Sequence, residues 1–272
     1  MRCRQVVAVL FALALAPSLA SAQGTRFRLT DLDLRDPHVF VSIVGCNDVT
    51  DVAGGMNAQI QANIQGDADG NGFLDASTLL EFLPLAQSAG TNLFDAGSAN
   101  CTAPAATTTC GPIASPLLAG DATLQAVGTC GQPLPGTVVH VYAPLVANAT
   151  APCFRSVTGT LFLSINGIPV QLTDAQIAAT FVGTPATSLS NGLMRGFLSE
   201  ADANATLIPA SVPLIGGRPL SSVLPGGTNA CPSFSDKDVG PGGVVGWYFY
   251  LNFPAQKLDE DTFTTGFADG FE

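Results

Sequence analysis

The stretch VVGWYFYLNF, residues 244–253, decides the fold. Its β-branched and aromatic side chains suit a pleated strand. A strand exposed on one face would alternate with polar residues, and Trp247, Tyr248, Phe249 and Tyr250 offer no such alternate. One face is expected in the core, and the other is either an aromatic platform or, as the missing polar alternate favours, covered as well, with the strand near the centre of a sheet.

Working outward, similar short runs recur between glycines and prolines. DPHVFVSIVG (36–45), GTVVHVYAPL (136–145) and GTLFLSING (159–167) read as strands. AQIQANIQ (58–65) alternates Ile60, Ala62 and Ile64 against Gln59, Gln61 and Asn63, a period of two that predicts a half-buried strand. Asn166-Gly167 is a two-residue hairpin signal. Helical signals are few. Ser199, with Asp202 three residues on, makes an N-terminal cap, and RPLSSVL (218–224) has room for one turn. Residues 96–136, rich in Ala, Thr, Pro and Gly, read as a long tethered loop region. The fold class expected is mainly β, a β-sandwich or jelly-roll-like body with few short helices, stapled by disulfides.

The chain begins MRCRQVVAVLFALALAPSLASAQ. Arg2 and Arg4 precede an apolar run over residues 6–16, and Ala20 and Ala22 fit an A-x-A cleavage site, the order of a secretory signal peptide cut after Ala22. The run is shorter than the roughly 20 residues that span a bilayer. No later segment is apolar for long enough, so no transmembrane segment is expected after signal removal. The organisation read is a signal peptide over 1–22, one β-rich domain over 23–255 and an acidic tail over 256–272. A secreted, periplasmic or cell-surface location follows.

A hydrophobic fraction of 47% argues against a disordered chain. The formal net charge is −11; without Arg2 and Arg4 it becomes −13, eight basic against 21 acidic residues. Such a charge argues against nucleic acid and anionic membrane as partners and favours a cation. Cys3 leaves with the signal. Cys46, Cys101, Cys110, Cys130, Cys153 and Cys231 remain, an even set that implies disulfides in an exported chain. Local closure of CTAPAATTTC by Cys101 and Cys110, a hairpin staple between Cys130 and Cys153, and a long staple between Cys46 and Cys231 form one arrangement. Sequence alone does not choose it from the others.

Three aspartates gather in QGDADGNGFLDAS, residues 65–77. Counting from Asp67, oxygen-bearing side chains fall at every second position: Asp67, Asp69 and Asn71, then Gly72, Phe73, Leu74 and Asp75. Calcium takes six to eight oxygens. Asp67, Asp69, Asn71 and Asp75 can supply side-chain oxygens and Phe73 its carbonyl, while Gly72 permits the bend and Leu74 packs inward. The same residues are also ordinary turn formers, but three aspartates so close repel one another unless a cation joins them.

This pattern resembles the D-x-[DN]-x-[DN]-G-x-x-D calcium loop of EF-hands, dockerins and integrin-type propellers. The resemblance covers residues 67–75. It implies a calcium site, here expected to cap a strand–loop–strand hairpin. Thr78 stands where an EF-hand has a bidentate glutamate, and Glu81 comes three residues later, either outward on a strand or reaching the ion. A dockerin would carry a second loop, and SDKDVGPGG (235–243) lacks the full set. The ending FADGFE is similar to endings of many exported proteobacterial proteins.

Catalytic motifs are missing. The only histidines, His38 and His140, sit in apparent strands, and neither G-x-S-x-G nor H-E-x-x-H occurs. Asp31, Asp33, Glu200, Asp202, Asp236 and Asp238 are candidate paired carboxylates that spacing cannot sort. The expectation is an exported, calcium-stabilised, non-catalytic protein with a surface, matrix or ligand-binding role. A secreted hydrolase with a structural calcium and a dockerin-like docking module are the alternatives.

Overall fold

The computed structural model describes residues 24–42, 44–165, 167–210, 212 and 215–259. The signal segment with Cys3, Asn166 of the hairpin signal and the tail beyond 259, with FADGFE, lie outside the described residues. The chain runs through β1 (Thr25–Leu29), β2 (Asp33–Asp36), β3 (Phe40–Ser42), β4 (Cys46–Asp48), α1 (Met56–Gln65), β5 (Thr78–Leu83), β6 (Gly90–Ser98) and β7 (Ser115–Gln125). It continues through β8 (Thr129–Gly131), β9 (Ala149–Thr150), β10 (Cys153–Ser156), β11 (Gly159–Ile165), β12 (Ile168–Val182), β13 (Ser188–Ser199), α2 (Glu200–Ala205), β14 (Asp238–Val239) and β15 (Val245–Lys257).

Strand β15 is the seam. One edge pairs antiparallel with β13, from Gly246 against Ser199 to Gln256 against Ser188. The other edge is shared in turn by β14, β2 and β1. The β1 pairing closes the order β1-β5-β6-β7-β10-β12-β13-β15 into an eight-strand antiparallel barrel-like sheet. The mainly β, disulfide-stapled body with few short helices is thus present, its strands joined edge to edge.

Both faces of β15 are covered, as its composition requires. Trp247, Phe249, Leu251 and Phe253 point into the barrel, where Phe27, Phe82, Phe94, Phe154 and Phe181 pack edge-on and tilted. Such rings contribute area and mutual orientation together. Tyr248 and Tyr250 point outward with Leu193 and Phe197, and Leu134, Val138 and Val146 pack over them. Those three belong to a strap, residues 132–148, whose base is closed by the β8–β9 pairing and the Cys130–Cys153 disulfide. Gly131 sits so close to the sheet that a β-carbon there would stand 2.6 Å from Ala178 Cβ. Leu134 N donates to Tyr250 Oη at 3.0 Å, and Thr137 Oγ1 bonds the same hydroxyl. Asn252 completes the latch: its Oδ1 accepts from Ala147 N at 2.8 Å and its Nδ2 donates to Ala147 O at 3.1 Å.

Several sequence expectations change. Residues 58–65 form helix α1, not a strand. Ile60 and Ile64 are spaced four apart, so they share a helical face as well as a strand face. Burial of Ile60, Ile64 and Asn57, with Ala62 exposed, shows which periodicity operates. Asn57 anchors the helix to β2, accepting from Leu34 N at 2.8 Å and donating to Leu34 O at 3.0 Å. Residues 136–145 make no strand; they are the middle of the strap, which is tied to the Tyr250 and Asn252 side chains at Leu134 and Ala147. Residues 96–136 are not one loop. They contain all of β7, whose small residues hide its alternation while Leu118, Ala122 and Leu124 pack inside. The run 36–45 is split, with His38 between β2 and β3. Strand β15 extends to Lys257, two residues into the segment read as tail.

Other local readings hold. Ser199 Oγ accepts from Asp202 N at 3.0 Å at the start of α2. Residues Leu220–Val223 make one 3-10 turn. The disulfides are Cys46–Cys231, Cys101–Cys110 and Cys130–Cys153, which suits an oxidising compartment. No helix among the described residues is long and apolar enough to cross a membrane.

Replacing Tyr250 by Phe leaves Leu134 N–H and Thr137 without their partner under the strap. The expected loss is about 1–3 kcal/mol. Hydrogen exchange should accelerate over 134–147 while β12, β13 and β15 keep their protection.

Candidate functional site

The loop 67–75 is entered from a helix and left toward a strand, so the strand–loop–strand expectation is corrected on its first side. Glycine ends α1 at Gly66, and Gly72 takes a φ of 88°, a left-handed conformation open to a residue without a β-carbon. The loop is pinned at its neck and flank. Asp75 N donates to Gly66 O at 2.9 Å and Ala76 N to Asn63 O at 3.0 Å. Leu74 N reaches Cys101 O at 2.8 Å, and Ala103 N reaches Gly72 O at 3.0 Å. The Cys101–Cys110 disulfide loop therefore buttresses the acidic loop. Leu74 is buried with Leu79, Cys101 and Cys110, as its position predicts.

The structure brings Asp67, Asp69 and Asp75 together: one carboxylate oxygen from each lies within 4.8 Å of the others. Asn71 joins them. Its backbone N donates to Asp67 Oδ1 at 3.0 Å and Asp69 Oδ1 at 3.1 Å, and its Nδ2 donates to Asp69 Oδ2 at 2.9 Å. Gly72 N donates to Asp67 Oδ2 at 2.8 Å, Phe73 N to Asn71 Oδ1 at 2.8 Å, and Ala68 N to both Asp75 oxygens at 3.1 Å. For Asp67, desolvation favours the neutral acid. The N–H groups of Gly72 and Asn71, with Asp69 and Gly70, outweigh it and hold the pKa below the ordinary carboxylate value. Glu81 is not at the loop. It lies in β5, where Arg26 Nε donates to its Oε1 at 2.7 Å.

A second convergence was not foreseen. Asp36 at the end of β2, Asp238 in β14, and His38, Tyr142 and Asp236 in the connecting segments meet beside β15. Asp36, His38 and Asp236 are each 3% exposed. Tyr142 Oη donates to Asp236 Oδ2, and its ring stacks on His38 at 3.9 Å. His38 Nδ1 lies 2.5 Å from Asp48 Oδ2. His140 stacks on Phe234 at 4.1 Å, so both histidines belong to one aromatic column. The Cys46–Cys231 disulfide ties the two segments that carry it. Asp36 Oδ2, Asp236 Oδ1 and His38 Nε2 are buried with no hydrogen-bond partner.

Burial, then the charges of Asp236 and Asp238, push Asp36 up to about 8. Burial also raises Asp238, to about 6, against the hydrogen bond from Tyr248 N and with the charge of Asp236. Asp236 is raised by burial despite its bond from Tyr142. Burial, the bond to Asp236 and nearby carboxylates raise Tyr142. Of the carboxylates flagged from sequence, only Asp236 and Asp238 enter this group. Asp33 pairs with Arg35, Glu200 with Lys237, and Asp202 serves the α2 cap. The sequence signal for the cluster was Asp36-Pro-His38 beside a long-range cysteine, and its meaning depended on which cysteine closed it.

The sequence matches no protein-family model, and neither a curated protein nor a solved structure matches it.

The raised carboxyls give a pH dependence with a definite sign. Asp36 keeps its proton when folded up to about pH 8, while the unfolded chain releases it near the ordinary value of about 4. Its contribution is full below the unfolded pKa and is lost as pH rises to the folded one. Asp36→Asn should flatten the decline of the melting temperature between those limits. It should also raise stability on the alkaline side by on the order of a few kcal/mol. A melting series over pH checks this; an unchanged slope would exclude Asp36 as its source.

Proposed function

We propose that this chain is an exported, non-catalytic β-rich protein whose fold is stabilised by one calcium ion at residues 67–75, and which has a surface, matrix or ligand-binding role. The supporting observation is the convergence of Asp67, Asp69 and Asp75 oxygens within 4.8 Å. Two oxygens on opposite sides of a calcium ion stand about 4.8 Å apart, given Ca–O distances of about 2.4 Å, so all three fit one coordination shell. Among the described residues no lysine or arginine pairs with them. Asn71 and the Phe73 carbonyl are the further oxygen donors of this reading. The ion would supply the positive charge that lets these carboxylates share one turn.

The helical entry of the loop follows EF-hand order and its strand exit does not. With a strand on one flank and a single loop, the dockerin-like alternative has less support. Engagement of Glu81 by Arg26 leaves no bidentate acid, so weak affinity is expected, roughly 10⁻⁴–10⁻³ M as in extracellular modules. The hydrolase alternative draws on the Asp36, His38 and Asp236 convergence, yet burial of all three argues against substrate access. Secretion rests on the signal-like N-terminus and fits the three disulfides.

Thermal unfolding of the oxidised chain with calcium or with chelator tests the metal. At tenfold excess over Kd, calcium should add about 1.4 kcal/mol, and Asp69→Ala should remove most of that difference. A melting curve indifferent to chelation would overturn the calcium reading.

A further inference from the structure

On the outer face of the sheet, β10, β12 and β13 present Arg155, Gln176 and Arg195, with Arg155 offset from the other two by two residues along β12. Gln176 is opposite Arg195, and Ala178 is opposite Arg155. The three side chains line one side of a cavity of about 370 Å³, and residues Thr129 to Pro135 line the other. This is within the size range of small-molecule sites. No carboxylate lines it.

That is unexpected in this chain, where 21 acidic residues face 10 basic ones. Three other cations find acids: Arg26 pairs with Glu81, Arg35 with Asp33, and Lys237 with Glu200. Among the described residues, neither Arg155 nor Arg195 has a carboxylate partner or a side-chain hydrogen bond. Arg195 Nε is also buried without a partner. An N–H withdrawn from water without an acceptor is costly. The planar guanidinium donors match an oxyanion. The opposite wall is rigid, because Cys130–Cys153 fixes its start and Tyr250 Oη holds Leu134 N. Pro133, Leu134 and Pro135 add an apolar surface. Preorganisation of this kind lowers the cost of binding.

We infer that this cavity is a binding site for a small oxyanion-bearing molecule of about monosaccharide size, its carboxylate or sulfate held between Arg155 and Arg195 and its body against the 133–135 wall. The site deepens, and rests on, the ligand-binding part of the proposed function. It shares no residue with the calcium loop.

Titration calorimetry on the full oxidised chain tests it, with galacturonate, galactose 6-sulfate and neutral galactose as probes. The acidic sugars should bind and galactose should not, and added salt should weaken binding. Binding of one acidic sugar alone identifies which oxyanion the site takes. Arg195→Gln should weaken binding at least tenfold. Arg155→Gln changes an exposed side chain, so it keeps the test open should the Arg195 variant fold poorly; it too should weaken binding at an unchanged melting temperature. Equal binding of galactose, full affinity in Arg155→Gln/Arg195→Gln, or silence of both acidic sugars would overturn the proposal. If the acidic sugars are silent while chelation still lowers the melting temperature, this site fails and the calcium reading stands. Binding that survives chelation alongside an unshifted melting curve gives the reverse.

Discussion

Strand β15 carries apolar or aromatic side chains on both faces over Trp247–Phe253, so neither face can be left to water. Burying one face against the barrel interior accounts for Trp247, Phe249, Leu251 and Phe253. It leaves Tyr248 and Tyr250 outside. An ordinary barrel strand would solve this with polar alternates. Here the strap over residues 132–148 does it, and the rest of the outer architecture follows. The strap needs a closed base, which β8–β9 and Cys130–Cys153 supply. It also needs partners for its unpaired backbone groups, which Tyr250 and Asn252 supply. The tyrosines are thus amphipathic in use: their rings fill the outer cluster and the Tyr250 hydroxyl latches what covers it.

Covering β15 this way has an electrostatic consequence. Tyr142 lies on the strap and reaches Asp236, while Asp36 ends the strand beside Tyr250 and Asp238 sits against Gly246. Three carboxyls are brought beside one strand with few donors among them. Burial raises the pKa of all three, and the charge of Asp236 adds to the rise at Asp36 and Asp238. The aromatic column of His38, Tyr142, His140 and Phe234 packs alongside. The cluster belongs to the closure of the barrel end, where Cys46–Cys231 ties segments 185 residues apart.

The acidic loop follows a different logic. Its carboxylates are held outward and their oxygens are gathered by backbone N–H groups of the same turn. Burial contributes little, so the arrangement depends on local geometry and on the Cys101–Cys110 loop that braces it. The two charged regions therefore differ in kind. One hides its carboxyls, and burial raises the pKa values of Asp36, Asp236 and Asp238. The other holds its carboxylates at the surface and gathers them on the N–H groups of one turn.

How much was legible follows from the range of the interactions involved. Residues 67–75 were readable because ligand spacing in a tight turn is a local property: Asp67, Asp69 and Asp75 converge through the fold of nine residues. The Ser199 cap and the β11–β12 hairpin were readable for the same reason. Strand β15 was readable because a missing polar alternate demands two covers whatever they are. Helix α1 was misread because Ile60 and Ile64 satisfy two periodicities, and only the packing of Asn57 on Leu34, 23 residues away, selects one. The strap was misread because its valines have strand composition while its backbone partners are side chains of β15. By itself, then, the sequence determined a mainly β, disulfide-stapled body, a strand buried on both sides and a turn that gathers three carboxylates. Only the tertiary structure decided that the sheet closes into a barrel, that Asp36, Asp236 and Asp238 share one buried place, and that Arg155 and Arg195 face one cavity. Each of these depends on which distant strands pair, and pairing is settled by the shape and packing of the whole interior rather than by any one segment.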